Sequence, residues 1–382
     1  MNYVIVAPEK NPSDAVLSKY EQRNPQREKN LDLSALSRGD SHMGAIWFKA
    51  NEYAAFLSEA TGFKAGIALS KDDLAELFAD DDEERGNFLL PEEQRLRIRA
   101  EDIEQTFAYI LFKLGNIGDP STVPISIRLF HKYKGDPILR KLNEDVFRLY
   151  VEEAEKMMDA ASLSGSKALD PTNFLTEARS KFGSKGLAMA LEIVDGLIQD
   201  QDRSLGSFRR VEWTDAVELK ALFHSESLDA SYGKFLDQRF IDYLYRNQDK
   251  VGDMHWRKFE GLAGEFFDRE GYKVEMGPGR NDGGVDIRVW KESLQPGEPP
   301  LMLVQCKRQK ANIERAVVKS LWADMEWERA KSGLIVTTAS LSPGAQQDCT
   351  SRGYNIRQAD KAVISKWLES MRTPGSGVFM GS

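Results

Sequence analysis

The chain has 382 residues, of which 41% are apolar and 29% charged, and a formal net charge of -8. That length exceeds one ordinary core and predicts two or three domains, while the composition excludes wholesale disorder. The acidic balance argues against a chain that coats nucleic acid indiscriminately, and no apolar run of about eighteen residues marks a membrane span.

The N-terminus, Met1 to Glu9, lacks the basic start and long apolar stretch of a secretory signal. Two cysteines, Cys306 and Cys349, have no CxxC spacing; they suit a reducing compartment, and no zinc site is expected. A cytoplasmic location without membrane contact follows as the expectation.

In chain order, Tyr3 to Ala7 reads as a short strand and Asn11 to Asp32 as a polar stretch. Trp47-Phe48 reads as a strand edge leading into an amphipathic helix over Asn51–Thr61. The acidic run Asp80 to Glu84 reads as a solvated loop. From Glu101 to Asn247 the pattern is mostly helical: Ile103, Phe107, Ile110, Leu111 and Leu114 recur at helical spacing, as do Val146, Leu149, Tyr150, Ala154 and Met157. Gly135-Asp136-Pro137 and Asp170-Pro171-Thr172 read as turns or helix starts. Phe130 to Lys134 interleaves aromatic and basic residues, which more often marks a half-buried strand or helix edge than a nucleic-acid surface. The polar stretch Arg246–Asp253 reads as a linker.

Beyond it the pattern changes. A helix is predicted over Met254–Glu270, strands over Tyr272–Met276, Val285–Trp290 and Leu301–Lys307, and a helix over Ala311–Ala330. A strand over Leu334–Thr338, a helix over Pro343–Arg352, an edge strand at Asn355–Arg357 and a helix over Asp360–Met371 complete the series. The fold class is therefore α/β, a mixed sheet flanked by helices, preceded by a mostly α-helical region with an α+β start. The organisation reads as an α+β N-terminal region over 1–100, a mainly helical region over 101–250, a sheet domain over 254–371 and a disordered tail over 372–382. Residues 251–382 carry about 19 basic against about 17 acidic residues, roughly +2, which leaves roughly -10 for residues 1–250. The C-terminal part is thus the better candidate for meeting a polyanion.

The chemistry concentrates in Asn281-Asp282-Gly283-Gly284-Val285-Asp286-Ile287 and Val304-Gln305-Cys306-Lys307. A glycine turn feeds a strand with one carboxylate, and a second apolar strand carries an amide and a lysine two residues apart, on one face. If the strands pair, Asp286, Gln305 and Lys307 meet. Hydrolysis of a phosphodiester needs an aligned water and an offset for charge on the phosphoryl oxygens. Mg²⁺ takes only one or two protein carboxylates, so Asp286 with a helical carboxylate suffices; Glu260 is the candidate and Glu265 the fallback. Gln305 adds an amide oxygen and Lys307 a cation for water and phosphate. Lys273, Arg280, Arg308 and Lys310 flank this site and suit phosphate contacts. His42, His131, His224 and His255 are scattered without metal-ligand spacing.

Phe259-Glu260, Glu270 to Val274, Asn281 to Asp286, Val304 to Arg308, Val336-Thr337-Thr338 and Ser342 to Ala345 occur in an order that resembles the Mrr-like restriction endonucleases of the PD-(D/E)xK nuclease superfamily. The resemblance covers about residues 254–370 and leaves the N-terminal region unassigned. It implies that Asp286, Gln305 and Glu260 hold Mg²⁺, with Mn²⁺ as a substitute, and that Lys307 is catalytic. Val285 stands where the superfamily has proline, and Gln305 where it commonly has an acid, as Mrr-like enzymes also do. The resemblance implies a Mg²⁺-dependent endonuclease acting on double-stranded DNA, a restriction or antiphage effector, with residues 1–250 sensing a protein or small-molecule signal or recognising a target. Double-strand cutting with one site per chain favours a homo-oligomer. The competing readings are an inactive nuclease-fold module that binds DNA or serves assembly, and a repair or junction nuclease.

Overall fold

A computed structural model describes residues 5–6, 44–164, 168–205, 216–279, 284–292 and 297–372. The polar stretch Asn11 to Asp32, His42, the Arg280 to Gly283 turn and the expected tail from Thr373 lie outside the described residues.

β1 (Ile5–Val6) is followed by β2 (Ala45–Lys49), which runs directly into α1 (Ala50–Ala65). The helix ends at Gly66, whose φ of 67° is left-handed, the usual glycine stop. β3 (Ile67–Ala68) and α2 (Lys71–Glu76) follow, then α3 (Glu83–Leu89). The acidic run is thus only partly a loop. The Asp82 carboxylate caps α3, and Glu83 and Glu84 form its first turn, where negative charge suits the helix dipole. β4 (Arg95–Arg99) pairs antiparallel with β2, and α4 (Ala100–Lys113) buries the periodic set Ile103, Phe107, Ile110 and Leu111.

α5 (Ile125–Tyr133), α6 (Pro137–Ser164) and α7 (Thr172–Arg203) share a separate core that includes Val146, Leu149, Phe174 and Ile193. α7 is broken at Gly183, φ 69° and ψ -159°. Phe130 to Tyr133 form the end of α5, with Phe130 exposed. β5 (Ala168–Leu169) pairs antiparallel with β1, and β6 (Val217–Glu218) pairs parallel with β3. α8 (Leu219–His224) and α9 (Gln238–Arg246) lead toward the C-terminal sheet.

The stretch expected to be a linker is a packed 3-10 turn over Gln248–Gly252. Val251 and Met254 are buried, and the Asn247 side-chain amide donates to Lys113 O at 2.7 Å and Tyr243 O at 2.8 Å. Its polarity satisfies carbonyls at helix ends rather than water.

The C-terminal part is α10 (Trp256–Arg269), β7 (Tyr272–Met276), β8 (Ile287–Lys291), β9 (Met302–Lys307), α11 (Arg315–Glu328), β10 (Ser332–Thr337), α12 (Pro343–Ser351), β11 (Ile356–Ala359) and α13 (Lys361–Met371). The sheet order is β11-β10-β9-β8-β7; β7, β8 and β9 run antiparallel and β9, β10 and β11 parallel. The parallel centre is buried on both sides, as its continuous apolar runs require. One face packs Leu303, Ile335 and Ile356 under Val318, Leu321 and Ala345 of α11 and α12. The other packs Ile287, Val289, Val304 and Val336 against Phe259 and Leu262 of α10 and Leu368 of α13.

That second core does not stop at residue 250. Tyr53, Phe107, Leu244 and Met371 belong to one continuous cluster. His255 N donates to Phe223 O at 2.8 Å, and the Arg372 guanidinium donates to Gly115 O at 3.0 Å.

Candidate active site

The β8–β9 ladder ends at the pair Ile287↔Val304, one residue short of Asp286. Strand alternation breaks there. Val285 and Ile287 are two residues apart, yet Val285 packs with Leu303 and Ile287 with Val304, on opposite sides of the sheet. The chain swivels at Asp286, whose backbone N–H donates to Val304 O at 3.0 Å. Its carboxylate then accepts from Cys306 N at 2.6 Å. A side chain thus does what a ladder carbonyl would have done, and β8 parts from β9 at this point.

Gln305 and Lys307 flank the amide that Asp286 engages. Asp286 and Gln305 are buried, at 6% and 4% exposure. By alternation, Gln305 and Lys307 share the face of Leu303. The Gln305 side-chain carbonyl is buried and has no hydrogen-bond partner among the described residues, an uncommon state for a buried polar atom. Gly284 makes room for this amide. At its φ of 98°, a Cβ would stand 2.8 Å from Gln305 Nε2. Gly277 has a similar role, since a Cβ there would meet Val285 O at 2.8 Å.

Glu260 stands on α10, buried, and its carboxylate accepts from Arg257 Nη1 at 2.7 Å. Arg257 Nη2 donates to Gly277 O at 2.8 Å, tying α10 to the strand end that leads into the glycine turn. The Cys306 thiol reports how close the charges lie. Burial raises its pKa well above the usual value, the Asp286 and Glu260 carboxylates raise it further, and the Lys307 ammonium opposes them.

Glu265, the fallback ligand, is occupied otherwise. One oxygen accepts from the backbone N–H groups of Lys234, Phe235 and Leu236 at 2.9, 2.7 and 3.2 Å, the other from Arg269 Nε at 2.8 Å. Of the flanking cations, Arg308 is exposed and donates to Gly252 O at 2.6 Å. Lys273 lies 6.0 Å from the Trp290 ring centre, Lys310 is exposed, and Arg280 lies outside the described residues. His255 caps α10 by accepting from Arg257 N. Arg257 itself was missed in the sequence, although its three-residue offset from Glu260 is an ion-pair spacing.

Among the described residues no group of three or more His, Cys, Asp or Glu side chains could hold a metal. The Asp286 and Glu260 carboxylates and the buried Gln305 amide oxygen are hard oxygens, whose chemistry fits a hard divalent cation better than a soft one.

Residues 251–368 match the family model described as restriction endonuclease. This part of the chain is similar to the Mrr-type restriction endonuclease domains. The match to the Mrr-type domain leaves residues 1–250 unassigned. Among solved structures, the MspJI restriction endonuclease in complex with a 27-mer oligonucleotide is similar at 20% identity and a TM-score of 0.23, over 47% of this chain and 39% of that one. This chain thus spans about two fifths of that protein's length. No curated protein matches. The mixed five-stranded sheet with helices on both faces agrees with the fold expected of an Mrr-type domain, and no helix among the described residues is long and apolar enough to cross a membrane.

Proposed function

We propose that the chain is a Mg²⁺-dependent endonuclease that hydrolyses phosphodiester bonds of double-stranded DNA, working as a homo-oligomer in restriction or antiphage defence in the cytoplasm. The observation that carries this reading is the buried Gln305 carbonyl without a donor among the described residues, one residue from the Cys306 amide held by Asp286, in a segment similar to the Mrr-type domains. Asp286, Glu260 and the Gln305 oxygen would hold the ion, which when bound would supply Lewis-acid offset of the charge on the phosphoryl oxygens. The Lys307 side chain makes no hydrogen bond or ion pair with the described residues, so its ammonium is available to orient the attacking water and meet the phosphate. Arg257 fixes one Glu260 oxygen and so orients the carboxylate. Lys273, Arg280, Arg308 and Lys310 contact phosphates around the cut. Residues 1–250 sense or recognise the trigger for cutting.

Purified protein incubated with plasmid and phage DNA, methylated and unmethylated, with Mg²⁺ or a chelator, tests this. Metal-dependent cleavage that disappears in Lys307→Ala and Asp286→Ala supports the enzyme. Tight DNA binding with no cleavage under any divalent metal would leave a non-cutting module instead.

A further inference from the structure

The β2–β4 ribbon carries a surface that the nuclease site does not use. Its register sets Trp47 opposite Arg97, Lys49 opposite Arg95 and Ala45 opposite Arg99. Leu96 and Ile98 point inward and are buried, while Arg95, Arg97 and Arg99 alternate with them and are exposed. Residues directly opposite in a sheet share a face, so Trp47, Lys49 and three arginines form one outward face. Trp47 is 59% exposed, far more than a tryptophan placed for packing requires. Successive arginines stand about 6.8 Å apart along the strand.

This concentration is not background composition, because residues 1–250 are acidic overall, at roughly -10. Two of the cations are partly answered: Lys49 Nζ lies 2.5 Å from Glu93, and Arg99 Nε lies 2.9 Å from Asp102. Asp82, Glu83 and Glu84 border the cleft beside Arg97 and Arg99. The side chains of Arg95 and Arg97, beside Trp47, make no ion pair or hydrogen bond with the described residues. Two free guanidinium groups beside a bare indole suit a polyanion whose bases can stack or whose sugar edges can pack. A two-stranded ribbon also has a width that a DNA groove accepts.

We propose that this ribbon face is a second DNA contact, which docks the backbone through Arg95, Arg97 and Lys49 and lays Trp47 against the sugars or bases. The choice of DNA over another polyanion rests on the nuclease reading of the C-terminal domain, and the contact would be the recognition element that the acidic N-terminal region otherwise lacks. Charge complementarity, rather than apolar area, is what the face offers.

The test is binding of a fluorescent DNA duplex to the full chain in chelator, read by anisotropy across a salt series. Each phosphate neutralised contributes roughly 0.9 to the slope of log affinity against log salt. The Arg95→Ala, Arg97→Ala double variant should therefore lower the slope by about 1.8, and Arg95→Lys, Arg97→Lys should restore it, which separates charge from damage to the fold. Trp47→Ala should weaken binding with little change of slope. An unchanged slope in the alanine double variant would overturn the proposal. The two readings fail separately. Duplex binding with the expected slope change but no cleavage under any metal would sink only the nuclease, whereas intact cleavage with an unchanged slope would sink only the ribbon.

Discussion

Replacing Glu265 should damage the fold rather than metal binding, and the size of the effect can be worked from its contacts. The carboxylate is almost wholly buried, with 3% side-chain exposure, and takes three backbone N–H groups on one oxygen and Arg269 on the other. Glu265→Gln keeps the shape but offers one acceptor where two are used. Its new N–H₂ must face either the three amides or the guanidinium. Arg269 is 27% exposed in its side chain and can turn partly to water, so the amide group should win the remaining oxygen. Losing a charge-assisted set and leaving buried donors short costs about 1–3 kcal/mol for each unsatisfied group, and breaking a buried ion pair costs about 3–5 kcal/mol before exposure is discounted. A net loss of about 3 kcal/mol follows from these terms. Arg269 also donates to Gln238 and to Met371 O, so the loss should spread to the docking of α9 and α13. The assay is a urea midpoint followed by fluorescence, with Arg269→Met and the double variant closing a cycle. An unchanged midpoint together with a raised metal requirement for cleavage would refute this argument and return Glu265 to the ion.

The remaining predictions concern the site and a buried acid. Lys307→Ala and Asp286→Asn should each lower cleavage by at least about 100-fold while leaving the urea midpoint close to that of the parent, because the Lys307 ammonium has no partner among the described residues and an Asn oxygen can still accept from Cys306 N. Gly284→Ala should cost about 1–2 kcal/mol for its left-handed backbone and reduce cleavage by displacing Gln305, a loss measured at saturating metal. Glu84 accepts from the Tyr53 hydroxyl and the Asn87 amide, and burial raises its pKa from the ordinary 4.5. A raised carboxyl favours the folded state below pH 4.5, and that contribution is lost as pH rises through the folded value. Glu84→Gln should remove this decline, which denaturation at pH 4.5 and 7 would detect.

The C-terminal elements were legible because their apolar periods are strong and their ends carry turn residues. The strand over Tyr272–Met276 has the expected bounds, and Leu301–Lys307 differs by one residue at its start. The departure at Asp286 was not legible, since alternation alone puts it inside the strand and only packing reveals the swivel between Val285 and Ile287. The linker reading of Arg246–Asp253 failed because polar side chains there serve buried carbonyls, as Asn247 does. Arg257 was passed over because an arginine near a helix start is ordinary until Gly277 O is found within its reach. The alternation Arg95-Leu96-Arg97-Ile98-Arg99 was a readable strand signal, but its partner, lying nearly fifty residues earlier, was not.

The segment similar to the Mrr-type domains is gripped at both of its ends. His255 is bonded to Phe223 where it begins, and Arg372 to Gly115 where it finishes. It is therefore not a detachable cartridge: cut free, it would lose two anchors and split the apolar cluster that joins Met371 to Tyr53, Phe107 and Leu244. A shift of Phe223 and Gly115 would therefore reach both termini of this segment together.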